Sequence, residues 1–415
     1  MKQNILLTPG PTPLPPQVRE ALGRPIIHHR TSEYRALFKR TLQGMQDVFQ
    51  TKQPVICFTS SGTGAMEASV VNLLSPGDKA IVILGGKFAE RWEKLCKVYG
   101  ITVVSLPVAY GEAADPAKVK DALAAHPDAT AVFAMLCETS TGVVHDIQAI
   151  AALTRKSQAV LIVDAISGLL ADTCLTDAWG IDAVVTGSQK GLMLPPGLAF
   201  MTLSERAWAM VDRVKTPRFY TDLRLYKKAL EDDDTPFTSA VSTVVALEEA
   251  LKLIRQTGVA QMVERCAQLA RATRAGVAAI GLELFAKRPS NGVTAVNVPS
   301  GVDGKQLTKI MFDRSGVMVA GGQGDMAGKI FRFAHMGFIG AEDILAGLTA
   351  LEQALSSLGY TFTPGESVKA AHALLGQPAL AGAKRSLDSP PGARSGFRPT
   401  GEEKGATPPR RGGAP

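Results

Sequence analysis

"GSQKGLMLPPG", residues 187–197, sets one lysine between a glutamine and a glycine, straight after the apolar run "IDAVVT" and ahead of two prolines. The prolines and glycines constrain the exit from that run. If the run is a buried strand, Lys190 stands on a rigid element, where partial desolvation turns its amine into a usable nucleophile or base. The plainer reading is a solvated lysine at a strand end. The rest of the chain decides between them.

Outward from this stretch, β-branched runs alternate with helical patterns. "PVICFTS", "KAIVILG", "ITVVSLP", "ATAVFAML", "AVLIVDA", "IDAVVTGS" and "GLAFMTLS" read as strands, with "KFAERWEKLCKVYG", "PAKVKDALAAH" and "DIQAIAALTRKS" as helices among them. Such alternation predicts an α/β domain with a mainly parallel sheet. Near-continuous apolar strands fit a sheet covered on both faces. A helical pattern over roughly 240–280 leads to a smaller α+β unit with strands in "GVTAVNVPS", "GVMVAGGQ" and "IFRFAHMG". The expected division is an N-terminal arm over 1–17, a large domain over 18–262, a small C-terminal domain over 263–365 and a tail over 366–415. The tail's Pro, Gly, Ser and charge-rich composition predicts disorder.

The chain has 415 residues, 46% hydrophobic and 20% charged, the balance of a globular protein. Its formal charge of +7 is concentrated in residues 381–415, where seven Lys and Arg face three Asp and Glu. The remainder is nearly balanced, which argues against nucleic-acid binding. No apolar run approaches the roughly 20 residues of a membrane span. The start "MKQNILLTPGPTPLPP" lacks the pattern of a signal peptide, so a cytoplasmic protein is expected. Five scattered cysteines without a C-x-x-C pair predict neither a disulfide framework nor a metal site.

In open α/β sheets ligands gather outside the carboxyl ends of the strands. Polar residues fall at those ends here: Ser60, Ser61 and Thr63; Glu138 and Thr139; Asp164; Gln189 and Lys190. "TSSGTGAMEA", residues 59–68, turns from strand into helix, and N–H groups at such a start bind phosphate. Glu67 stands where a dinucleotide fingerprint needs its third glycine, so a phosphate-bearing cofactor of another kind fits better. Asp164, ending "AVLIVD", either caps the next helix or pairs with a protonated ring nitrogen.

A phosphate cup, a strand-end aspartate and a lysine 26 residues later make a constellation. Taken in order with "LLTPGPTPLPPQV", "HHRTSEYRALF", "GGKFAERW", "ETSTGV", "VDAISG", "TPFTSAVS" and "FRFAHMG", it resembles the class V aminotransferases. These are pyridoxal-phosphate enzymes of fold type I, and the likeness runs to about residue 365. The "SQK" form is most similar to the alanine/serine–glyoxylate (or pyruvate) branch. The resemblance implies a seven-stranded sheet in the large domain, bound pyridoxal 5'-phosphate and a ping-pong exchange between a small amino acid, alanine or serine, and glyoxylate or pyruvate. It implies that Lys190 forms the Schiff base and moves the proton, and that Asp164 faces the pyridine nitrogen. Phe88 would stack on the ring and Thr139 would meet its hydroxyl. Ser61, Gly62, Thr63 and Gln189 would hold the phosphate, and Arg332 would clamp the substrate carboxylate.

Thr235 matches a residue that reaches the phosphate of a neighbouring subunit, which implies a homodimer. Asp232 stands where alanine–glyoxylate relatives carry tyrosine, and "EDDD" reads as a solvated loop. His28, His29 and Arg30 read as dimer-interface or cleft-wall residues. The alternatives are a phosphoserine or other class V aminotransferase, a cysteine desulfurase or lyase (although Gln189 stands where desulfurases have histidine), and a non-catalytic subunit.

Overall fold

A computed structural model of the chain describes residues 4–375. The seven expected strands of the large domain join one sheet: β1 (Val55–Ser60), β2 (Lys79–Leu84), β3 (Thr102–Pro107), β4 (Ala131–Met135), β5 (Val160–Asp164), β6 (Ala183–Gly187) and β7 (Gly197–Leu203). Their order is β1-β7-β6-β5-β4-β2-β3. Pairs from β6 through β3 run parallel, while β7 lies antiparallel to both β1 and β6.

Successive side chains of a strand leave by opposite faces, and two cores follow from this. Val132, Leu161, Val163 and Val184 meet helices Ser32–Phe49 and Val241–Thr257 on one face. Phe133, Ile162 and Val185 meet α1 (Gly62–Leu73) and α2 (Ala89–Val98) on the other. Every residue of β4, β5 and β6 is buried, whereas the edge strand β3 is partly exposed along its length.

The opening stretch is the connection between antiparallel neighbours β6 and β7. Ser188 closes it: its N–H donates to Leu198 O at 2.9 Å and its hydroxyl to Pro195 O at 2.6 Å. Met193 takes a left-handed conformation at φ 59° inside the loop. Lys190 is thereby held at the carboxyl end of the sheet, beside the ends of β1 and β5.

The 240–280 pattern is two helices, Val241–Thr257 and Val259–Ala279, parted at Gly258 with φ 90°. Beyond them β8 (Val293–Asn297), β9 (Ala320–Gly321) and β10 (Ile330–Ala334) form an antiparallel sheet in the order β8-β10-β9. Its core gathers Leu307, Phe331, Phe333, Leu348 and Leu351. The N-terminal arm fastens this unit to the large domain. Ile5–Leu6 pairs with Val317–Met318 and Leu7 is buried in the small core. Five residues on, Thr12 donates its N–H to Gln189 O at 3.2 Å and its hydroxyl to Lys190 O at 3.0 Å.

The expected disorder from 366 needs correction. Glu366–Leu375 is a helix that buries Ser367, Ala371 and Leu375 and packs on Val259–Ala279. The buried Glu352 caps its start, accepting from Gly365 N at 2.7 Å, Ser367 N at 3.0 Å and the Ser367 hydroxyl at 2.6 Å. The expectation for 376–415 lies outside the described residues. No helix of the described residues is long and apolar enough to cross a membrane.

Candidate active site

Lys190 is 8% exposed. Its amine donates to the carbonyl of Pro9, and its end packs on Gly10, where a Cβ would stand 2.6 Å from Cδ, Cε and Nζ. Gly10 also has φ 104°, so both space and backbone call for glycine. Burial lowers the amine's pKa from 10.5 to about 8, with Arg332 and Arg91 adding to the effect and Cys137 and Asp164 opposing it. A neutral amine is thus within reach near neutral pH.

Asp164, 3% exposed, accepts from Ile166 N at 2.7 Å. Burial raises its pKa from 3.8 to about 7, against the pull of Ile166 N–H, Arg91 and Lys190. Each of Lys190 and Asp164 lies in the other's field. A carboxyl held this close to neutrality returns to its ionised form once a cation, such as a protonated ring nitrogen, is set against it.

At the start of α1, Ser61 is extended and its side chain caps nothing. Gly64 N–H donates to Ser61 O at 2.8 Å, while the N–H groups of Gly62 and Thr63 are open to an anion. A Cβ on Gly62 would stand 2.4 Å from Ile166 Cδ1, and one on Gly64 would stand 2.0 Å from Ser60 Oγ, so the cup depends on bare backbone. Gln189 Oε1 is buried without a partner and lies 3.0 Å from a Cβ built on Gly187. With its amide turned over, the same side chain offers N–H groups there. Open helix donors beside an orphaned amide fit a phosphate group, so Ser61, Gly62, Thr63 and Gln189 lie where the cofactor's phosphate end is expected.

Phe88 is half-buried at the N-cap of α2. Its turn is held by Glu138, which is fully buried and accepts from Ala89 N at 2.9 Å, Ser140 N at 3.0 Å and Ser140 Oγ at 2.5 Å. Burial pushes the Glu138 carboxyl pKa up. The sequence places Glu138 at a strand end but no motif assigns it this work. Only its partners in the Gly86–Ala89 turn reveal it.

Arg332, on β10, is 4% exposed. Its Nε and Nη2 donate to Gly321 O at 3.1 and 2.7 Å, and Nη1 to Thr139 O at 2.8 Å. It has no ion pair among the described residues. Three of its five N–H donors are used, which leaves two for a carboxylate. Burial lowers its pKa from 12.5 to about 10, so it stays charged at neutral pH. Thr139 is buried, and its hydroxyl is paired with that of Ser167.

Thr235 is held by its own loop and by Arg30. Its hydroxyl donates to Phe237 O at 2.7 Å, while its carbonyl accepts from Arg30 Nη1 at 2.5 Å. The reading of "EDDD" as a solvated loop holds for exposed Asp232 but fails for Asp234. Asp234 is buried and grips Arg30 at 2.6 Å and Arg35 at 2.8 Å, because two guanidinium groups from the start of helix Ser32–Phe49 converge on it. His28 and His29 stack on each other at 4.6 Å nearby in sequence.

Known proteins repeat this architecture. The family model for aminotransferase class-V matches residues 6–334. A soluble hydrogenase small subunit of Synechococcus is 41% identical over 377 residues, covering 89% of this chain and 98% of that protein. The L-aspartate–glyoxylate aminotransferase of Paracoccus denitrificans is 33% identical over 392 residues, with 92% and 99% covered. The crystal structure of pyridoxamine–pyruvate aminotransferase from Mesorhizobium loti superposes with a TM-score of 0.85 at 32% identity, covering 89% of this chain and 96% of that one. The chain belongs to the class-V aminotransferases.

Proposed function

We propose that the protein moves an amino group between a small amino acid, alanine or serine, and a small 2-oxo acid, glyoxylate or pyruvate, in two half-reactions. The observation that carries this reading is Arg332: a buried, charged guanidinium with two unused donors and no ion pair among the described residues. A substrate carboxylate supplies the missing anion bidentately. The acceptors follow the relatives, which are named for glyoxylate and for pyruvate.

Bound pyridoxal phosphate supplies the carbonyl that takes up the amino group and a ring that accepts the electron pair left at Cα. The rest belongs to the chain. Lys190, neutral in part near its pKa of about 8, takes the Cα proton and returns it on the other side of the exchange. Arg332 fixes the carboxylate and thereby the direction of the Cα–H bond, and such orientation is a large share of any rate enhancement. Asp164 holds the proton on the ring nitrogen, and Phe88 covers one face of the ring.

The protein acts as a homodimer, with Thr235 turned to the neighbouring phosphate cup. Phe219 (74% exposed), the partly exposed Tyr220 and Phe237 form an aromatic cluster that a second copy would cover. For that role the Thr235 hydroxyl proton must turn from Phe237 O to the phosphate. The five cysteines are free and buried, which suits the reducing cytoplasm. A second reading, a non-catalytic subunit of an assembly, has in its favour the name carried by the Synechococcus relative.

One titration separates these readings. The protein is incubated with pyridoxal phosphate, then given alanine, serine, aspartate or phosphoserine while the cofactor's visible band is followed. Alanine or serine should bleach the band, and glyoxylate or pyruvate should restore it. Response to phosphoserine but to neither alanine nor serine overturns the substrate reading. A protein that stays colourless supports the non-catalytic one.

A further inference from the structure

Arg91 lies in the first turn of α2, three residues after Phe88. Its Nη1 donates to Thr63 Oγ1 at 2.8 Å, and its guanidinium carbon stands 5.3 Å from the Phe88 ring centroid, a cation–π contact. The adjacent Glu90 is already taken, by Lys87 at 2.9 Å and the Tyr110 hydroxyl at 2.7 Å. Arg91, half-buried, has no ion pair among the described residues. Its charge lowers the pKa of both Asp164 and Lys190, so its field reaches that pair.

Thr63 is the second residue of α1, at the open end of the phosphate cup. Because its hydroxyl oxygen accepts from Arg91, the hydroxyl proton is left to donate elsewhere. A phosphate monoester carries about −1.5 to −2 charges at neutral pH. A helix N-terminus offsets only about half a charge. Among the cup residues Ser61, Gly62, Thr63 and Gln189 none is charged.

We propose that Arg91 is a positioning residue for the phosphate end of the cofactor: it aims the Thr63 hydroxyl into the cup and supplies the fixed positive charge the cup otherwise lacks. This deepens the reading above that the cleft holds pyridoxal phosphate, and rests on it. The stacked Phe88 ring limits where the guanidinium can go, which makes the charge a fixed one.

The test compares two ligands that share ring and aldehyde and differ in the phosphate. Apoprotein of the parent, Arg91→Gln, Arg91→Lys and Thr63→Val is titrated with pyridoxal phosphate and with pyridoxal by absorbance, with melting curves confirming that each is folded. Arg91→Gln should weaken pyridoxal phosphate by about tenfold or more, the range of a hydrogen bond to a charged group, while leaving pyridoxal within about twofold. Arg91→Lys should restore part of the loss, and Thr63→Val should show the same selectivity. Loss of affinity for both ligands alike, or for neither, overturns the proposal. A parent that binds neither ligand sinks the cofactor reading itself and this proposal with it.

Discussion

The loop between β6 and β7 and the β9–β10 pair of the small domain each carry one buried base, with Lys190 in the field of Arg332, and they treat it in opposite ways. Lys190 meets a single carbonyl, that of Pro9, and burial brings its pKa down to about 8. Arg332 is wrapped by the carbonyls of Gly321 and Thr139 and keeps its charge to about pH 10. An ammonium is a point charge that burial readily neutralises, whereas a delocalised guanidinium resists deprotonation. One region therefore presents a base that can lose and regain its proton, and the other presents a permanent cation. On the proposed function, chemistry and recognition are divided between two domains that the N-terminal arm ties together at Thr12 and Leu7.

The largest break in this comparison is Lys190→Ala. It should slow the amino-acid half-reaction roughly a hundredfold to ten-thousandfold, the range of general base catalysis, as measured in single turnovers. Arg332→Gln should leave the proton-transfer group intact and act on substrate binding and orientation. We expect kcat/KM for the amino acid to fall about tenfold to a hundredfold, through a higher KM from the lost carboxylate contact and a lower kcat from the lost orientation. An unchanged KM would mean that Arg332 does not hold the substrate carboxylate and that the two bases are not divided as described.

The two pKa values sharpen the same contrast. Proton transfer needs neutral Lys190, so its rate should rise with pH up to about 8. Carboxylate binding needs charged Arg332, so affinity should fall only as pH approaches about 10. A pH series of single-turnover rates and amino-acid affinities would show the limbs in that order, and their reversal would refute the assignment.

The smallest effect concerns stability. Folded Asp164 keeps its proton to about pH 7, while an unfolded aspartate releases it near 3.8. Between those values the folded apoprotein binds the extra proton, so stability falls as pH rises through the window. Asp164→Asn removes that loss. Its apoprotein should melt a few degrees above the parent at pH 8, with the difference shrinking toward pH 4, although its transaminase activity is lost.

The large domain was legible because both faces of its sheet are covered. Runs such as "AVLIV" are apolar at every position, since Val163 enters one core and Ile162 the other. Lys190 and Asp164 stood out as polar groups ending such runs. What stayed hidden depends on partners distant in the chain. Asp234 looks like one more charge in an acidic run until Arg30 and Arg35 are seen to meet on it. Glu366–Leu375 adjoins the Pro- and Gly-rich tail in sequence, and its start is fixed by Glu352 on another helix. The helical stretch around 240–280 reads as continuous because its apolar spacing persists across Gly258, where the backbone turns. Arg91 is an ordinary surface-helix arginine in sequence, and only the fold brings Thr63 to it.

The division between the two bases is tested most directly at Lys190 itself. The holoenzyme is reduced with borohydride, digested, and mapped by mass spectrometry for the peptide that retains the pyridoxyl group. The account predicts one labelled site, Lys190 in "GSQKGLMLPPG", with Arg332 still binding amino acid in the unreduced enzyme. A label on any other lysine, or a reduced protein that carries none, would contradict it.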